Sequence, residues 1–195
     1  FVFFHGWKQS EFNKIKSSKF SRLLFLFIIN LHFKIGVLSS RFKEELIDLG
    51  IDSEKIQVFS TMVECDRFKK NKHTKGKKEV TFLFCAHPLL KGKGIFEFLL
   101  SVPIISNRFK NSKFVVMGGG SHLKHLVKFA NEISGNSHIT FTGYLSGKEK
   151  LDVFHDSDVL IFPSYSEGFP TTVIEAMASG LAIVTTKVGG LIDFF

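Results

Sequence analysis

Two carboxylates eight positions apart, Glu167 and Glu175, bracket the stretch EGFPTTVIE. Pro170 between them suits the first turn of a helix, where a missing N–H costs nothing. The unpaired N–H groups and the dipole of such a turn form an anion site well matched to phosphate. Gly168 lets the backbone approach a ligand closely. Glu167 then lies beside the anion site and Glu175 about one turn into the helix. Carboxylates do not bind phosphate, but they accept hydrogen bonds well from sugar hydroxyls. A phosphate cradle flanked by two hydroxyl acceptors is what a nucleotide-sugar requires.

Positioning such a site calls for strands that end at it. Short apolar bursts predict strands at Phe1–Phe4, Ile35–Leu38, Ile56–Phe59, Val80–Cys85, Lys113–Met117, His138–Phe141, Val159–Phe162 and Ala182–Thr185. Between them, helical periodicity predicts helices near Glu11–Leu31, Arg41–Leu49, Gly94–Ile105, Ser121–Ser134, Gly147–His155 and Pro170–Ser179. Strand–helix alternation with short, Gly-bearing turns implies an α/β fold: parallel sheets covered by helices on both faces, with ligands at the carboxyl ends of the strands. Residues 1–67 read as the end of one Rossmann-like domain, residues 68–78 as a Lys-rich linker, and residues 79–195 as a second, nearly complete Rossmann-like domain. The chain reads as a piece of a longer protein.

Composition narrows the classes further. Apolar residues make up 44% of the 195-residue chain, which excludes disorder. The net charge of +8 favours anionic partners. Part of it is concentrated in KKNKHTKGKK, Lys69–Lys78, with six lysines in ten residues. No aromatics interleave with those lysines, so the segment reads as a solvated linker and no nucleic-acid partner is expected. Two cysteines, Cys65 and Cys85, are too few and too irregular for a disulfide framework or a zinc site, and fit a cytoplasmic protein. The basic first half of Glu11–Leu31 admits peripheral contact with an anionic membrane, although a core helix with a basic exposed first half is the favoured reading. Asp156-Ser157-Asp158 imitates a metal-binding pair but falls at a helix-to-strand junction, and no metal or cofactor is expected.

The uninterrupted EGFPTTVIEAMASGLAIVTTKVGG resembles the signature of the retaining family-4 (group 1) glycosyltransferases of the GT-B fold. VVMGGG, ITFTGYL and FHDSDVLIFPS are similar to that family's successive strand ends, and FFHGW to a strand end of its acceptor-side domain. The resemblance implies transfer of a sugar from a nucleoside diphosphate sugar donor to a glycan or lipid-linked acceptor, with retention, in cell-surface polysaccharide synthesis. It implies that Glu167 contacts donor sugar hydroxyls and that the amides of Gly168, Phe169, Pro170 and Thr171 border the sugar and diphosphate, Pro170 without an N–H of its own. Glu175 would accept from the ribose hydroxyls, Lys93 would neutralise the diphosphate, and His5 would reach the donor sugar from the other domain. Tyr144 and Leu145 match the place where the base rests. Where the family commonly carries Gly-Arg ahead of the lysine, this chain has His87 and Pro88. A protonated His87 would supply a weaker, pH-dependent charge there. On that resemblance this chain on its own is expected to bind nucleotide without transferring sugar, and a non-catalytic nucleotide-sugar-binding remnant is the alternative reading.

Overall fold

A computed structural model describes residues 2–4, 9–69, 79–133 and 138–194. The chain packs as two compact units. One comprises Phe1–Met62, Ser166–Pro170 and Lys187–Phe195; the other comprises Val63–Tyr165 and Thr171–Thr186.

In the first unit the order is β1 (Val2–Phe4), α1 (Gln9–Ser17), α2 (Lys19–Asn30), β2 (Ile35–Val37), α3 (Ser40–Asp48) and β3 (Ile56–Val58). The three strands pair in parallel in the order β1-β2-β3. Their core is Ile35, Val37, Phe42, Leu46 and Ile56, with Phe4, Phe25 and Leu26 packed against it. The single helix expected over Glu11–Leu31 is two helices. Ser18 adopts an extended backbone and its hydroxyl accepts from the N–H of Ser21, so the serine caps a new helix instead of continuing the old one. Nor is the second half of that stretch a core element. Ile29 alone in α2 is buried, while Phe20, Leu23 and Phe27 are more than 60% exposed.

The second unit runs α4 (Cys65–Phe68), β4 (Val80–Cys85), α5 (Ile95–Arg108), β5 (Ser112–Met117), α6 (Leu123–Ile133), β6 (Ile139–Gly143), α7 (Gly147–Asp156), β7 (Val159–Phe162), α8 (Thr171–Ala178) and β8 (Ala182–Thr185). All five strands are parallel, in the order β6-β5-β4-β7-β8. The winding therefore reverses between β4 and β7. In open sheets of this kind the crevice at such a reversal is where ligands bind. Asp158 ties the starts of those two strands: its carboxylate accepts from the N–H of Thr81 at 2.8 Å and its own N–H donates to the Thr81 carbonyl at 2.9 Å.

The abundant phenylalanine finds its use here. Phe84, Phe98 and Phe114 are fully buried, with ring centroids 5.4 Å apart for Phe84–Phe98 and 6.4 Å for Phe98–Phe114. Phe68, at the start of the expected linker, is buried as the last residue of α4 and meets the Phe154 ring edge-on at 5.6 Å. Residues 70–78 lie outside the described residues.

Candidate functional site

The carboxyl-terminal edge of the five-stranded sheet collects most of the residues singled out by the sequence. After β4 the chain passes His87 and turns through a short 3-10 segment, Lys91–Lys93, into α5. Lys93 is half-buried in that turn. The turn is fastened to the segment after β7: the Gly92 carbonyl accepts from the Tyr165 N–H at 3.0 Å and from the Ser164 hydroxyl at 3.1 Å. Gly94 makes this closeness possible. It has a left-handed φ of 79°, and a Cβ there would stand 2.1 Å from the Pro163 carbonyl oxygen. Tyr165 completes the fastening with a 2.6 Å hydrogen bond from its hydroxyl to Oε1 of Glu97 on α5. That bond raises the Tyr165 pKa, because the phenol proton is held by the carboxylate.

His87 and Tyr144 meet. Their ring centroids are 4.5 Å apart at 50°, the histidine following β4 and the tyrosine following β6. Gly119, just beyond β5, borders both: a Cβ built there would be 3.5 Å from Tyr144 and 3.8 Å from the His87 ring. Tyr144 is largely exposed and Leu145 half-buried, so together with His87 they form an open shelf at the ends of β4 and β6.

The loop Ser166–Pro170 belongs to the first unit, and its backbone is set by the Gly-Gly turn that ends the signature. The Gly190 N–H donates to the Gly168 carbonyl at 2.7 Å. Gly189 has φ 54°, and a Cβ on it would lie 2.2 Å from the Glu167 carbonyl oxygen. A Cβ on Gly190 would overlap the Phe169 ring. The signature needs its glycines for contact with the glutamate-bearing loop. Within it Glu167, Gly168 and Phe169 are half-buried and Pro170 is buried. The helix that follows, α8, begins at Thr171, one residue later than the sequence predicts. His5 lies outside the described residues.

Glu175, one turn into α8, is buried. Its Oε1 accepts from Lys150 Nζ at 2.6 Å, whereas its Oε2 is buried with no hydrogen-bond partner among the described residues. Lys150 comes from α7, and its ammonium stands 5.7 Å from the ring centroids of both Phe68 and Phe154. Cys85, the last residue of β4, shares this surrounding. Burial pushes its thiol up to about 12; nearby Glu175 adds to the rise, while Lys150 and a hydrogen bond with Thr172 oppose it. The thiol is therefore neutral at physiological pH. Cys65, by contrast, is exposed.

Sequence reasoning missed Lys150. A signal existed: Lys150 stands four residues before buried Phe154, on the apolar stripe of a helix, where a lysine calls for a partner.

A family model described as glycosyl transferases group 1 matches residues 66–195. An uncharacterized glycosyltransferase of Methanocaldococcus jannaschii is 31% identical over 101 residues, covering 52% of this chain and 26% of that protein. The putative teichuronic acid biosynthesis glycosyltransferase TuaC of Bacillus subtilis is 28% identical over 166 residues, covering 80% of this chain and 39% of its own length. The chain thus spans about a quarter to two-fifths of these relatives. Among solved structures, Anabaena HepE in complex with UDP and glucose superposes on all of this chain and 54% of its own, with a TM-score of 0.72 at 15% identity. That likeness shows a shared fold, the GT-B type that the sequence implies. The family match covers the switch-point sheet, Lys93, the glutamate pair and the Gly-Gly turn in one continuous span, and on that span the chain belongs to the group 1 glycosyl transferases.

Proposed function

We propose that this chain provides the donor side of an enzyme that moves a sugar from a nucleoside diphosphate sugar to a glycan or lipid-linked acceptor, with retention, in cell-surface polysaccharide synthesis. The observation that carries the reading is the buried Glu175 carboxylate, one turn into the helix that follows the switch-point strand β7 and satisfied on one oxygen only. A buried acceptor left unpaired costs about 1–3 kcal/mol, a cost that a ligand hydroxyl relieves. Glu175 takes the ribose hydroxyls, Glu167 the sugar hydroxyls, and Tyr144 and Leu145 the base. The amide edge of Gly168–Thr171 and the start of α8 receive the diphosphate. Lys93 adds positive charge to the departing diphosphate, where charge grows in the transition state. His87 adds to it when protonated, and His5 approaches the donor sugar. No metal takes part in this scheme.

B. subtilis TuaC supports the cell-surface assignment through its teichuronic acid biosynthesis, and HepE the donor class through its UDP and glucose. The exposed apolar side of α2, in a stretch that also carries exposed Lys14 and Lys19, supports peripheral attachment at the inner face of a membrane. No helix among the described residues is long and apolar enough to cross one. The remnant reading draws on His87 and Pro88 standing where a second cation is expected.

The test is a binding series with UDP, GDP and ADP and their sugars, read by calorimetry. Glu175→Ala weakens free diphosphates and their sugars alike by about 1–3 kcal/mol. Glu167→Ala weakens only the sugar-bearing ligands. Equal loss of free diphosphate in both variants would overturn the assignment. Donor hydrolysis or sugar transfer by the full-length protein separates the enzyme from the remnant, and insensitivity of that activity to EDTA checks the metal-free scheme.

A further inference from the structure

The Lys150–Glu175 pair is more than a buried ion pair between two helices. Lys150 reaches Oε1 at 2.6 Å from a helix other than the one that carries Glu175. Its ammonium is held beside two rings, Phe68 and Phe154, that themselves pack edge-on. An ammonium near aromatic faces keeps its charge while losing freedom. Three sides of the lysine are thereby fixed, and through it one oxygen of the carboxylate. The other oxygen, Oε2, is buried and has no hydrogen-bond partner among the described residues. The neighbouring thiol of Cys85 stays protonated, held there chiefly by burial, so no second anion competes for the lysine.

We propose that Lys150 is a positioning residue for Glu175: by holding Oε1 it serves as the pivot about which a small turn of the carboxylate presents Oε2 to vicinal hydroxyls of the ligand. The proposal rests on the reading of Glu175 as the ribose acceptor given above. Without the pivot the carboxylate would be free to turn away from the ligand, and recognition of the two hydroxyls would fade. A lysine that served only to hold α7 against α8 would, when replaced, weaken every nucleotide by the same factor.

The experiment measures, by calorimetry on the full chain, how much tighter UDP, GDP or ADP binds than its 2′,3′-dideoxy form. In the unaltered protein this ratio is expected to be about tenfold or more for the preferred base, as for a charge-assisted hydrogen bond. In Lys150→Met and in Lys150→Gln it falls to about twofold or less, while in Lys150→Arg, which keeps a charged donor, most of it is retained. Thermal melts identify which variants fold. A tenfold ratio surviving in a folded Met or Gln variant overturns the proposal, and so does its loss in a folded Arg variant. Should Glu175→Ala keep the ratio, the ribose reading fails first and takes this inference with it. Should Glu175→Ala abolish the ratio while the neutral Lys150 variants keep it, only the role of Lys150 fails.

Discussion

Glu167 and Glu175 stand eight residues apart in one motif, yet unlike forces set them in place. Glu167 rides on a loop whose course is dictated by main chain: two successive glycines let the Gly190 N–H reach the Gly168 carbonyl and let Gly189 pass the Glu167 carbonyl. Glu175 sits on a regular helix, and its side chain is set by a lysine and two aromatic rings. The loop tolerates no added atoms; the helix tolerates no lost charge. A motif that reads as one unit in sequence is thus vulnerable in two separable ways.

The loop should be the easier to break. Gly189→Ala forces a Cβ into a left-handed backbone and against two main-chain oxygens, 2.2 and 2.4 Å away. We expect a loss of about 3–4 kcal/mol in urea unfolding. Gly92→Ala is the control, since a Cβ there meets nothing within 4 Å; it should change stability by less than about 0.5 kcal/mol.

Breaking the helix side should cost somewhat less. Lys150→Met leaves a buried carboxylate unpaired, and with the lysine side chain 26% exposed we expect about 2–3 kcal/mol. The double variant Lys150→Met/Glu175→Met, which removes both charges beside Phe68 and Phe154, should recover most of that loss. A double variant no more stable than the single one would show that the pair is not what fixes this region.

The same burial predicts a subtler effect at Cys85. The folded thiol has its pKa pushed up to about 12 from 9.0. Above pH 9 the unfolded chain releases this proton while the folded chain keeps it, so stability declines as pH rises from 9 through 12. Cys85→Ala should flatten that decline. At pH 8 a thiol reagent should label exposed Cys65 alone, and both cysteines only in denaturant. The smallest effect belongs to Asp152→Ala. It removes the exposed Lys148–Asp152 pair on the outer turn of α7, the pair that raises the Lys148 pKa. The melting temperature should not move measurably.

What the sequence made legible follows the same division. Gly168, Pro170 and the Gly-Gly turn are visible because backbone constraints are written locally, residue by residue. Strand and helix order was readable for the same reason, with most boundaries within about two residues. Ser18 broke the first long helix because a serine hydroxyl can replace a backbone acceptor, a choice that periodicity does not record. The exposed side of α2 runs against the favoured core reading because an apolar stripe states a preference for burial, not the presence of a covering surface. The Lys150–Glu175 and Tyr165–Glu97 contacts join residues 25 and 68 positions apart. Such pairings are decided by sheet order, which no short window contains.

That sheet order also governs how the molecule must assemble. β4, β5 and β6 are neighbours in sequence and in space, so the first half of the sheet can zip up through local crossovers. β7 pairs with β4 across 77 residues, the separation of the Thr81–Asp158 hydrogen bond. Closing so long a loop has an entropic cost that grows only slowly with length, but it must be met before any contact rewards it. During synthesis the β4 edge therefore waits unpaired until β7 leaves the ribosome, an interval of about 4–15 s at ordinary elongation rates. A bare parallel edge through that interval is where a growing chain is most apt to join its neighbours. Pulsed hydrogen exchange during refolding should show amides of β5 and β6 protected before those of β7 and β8. Simultaneous protection of all five strands would mean that the halves form together.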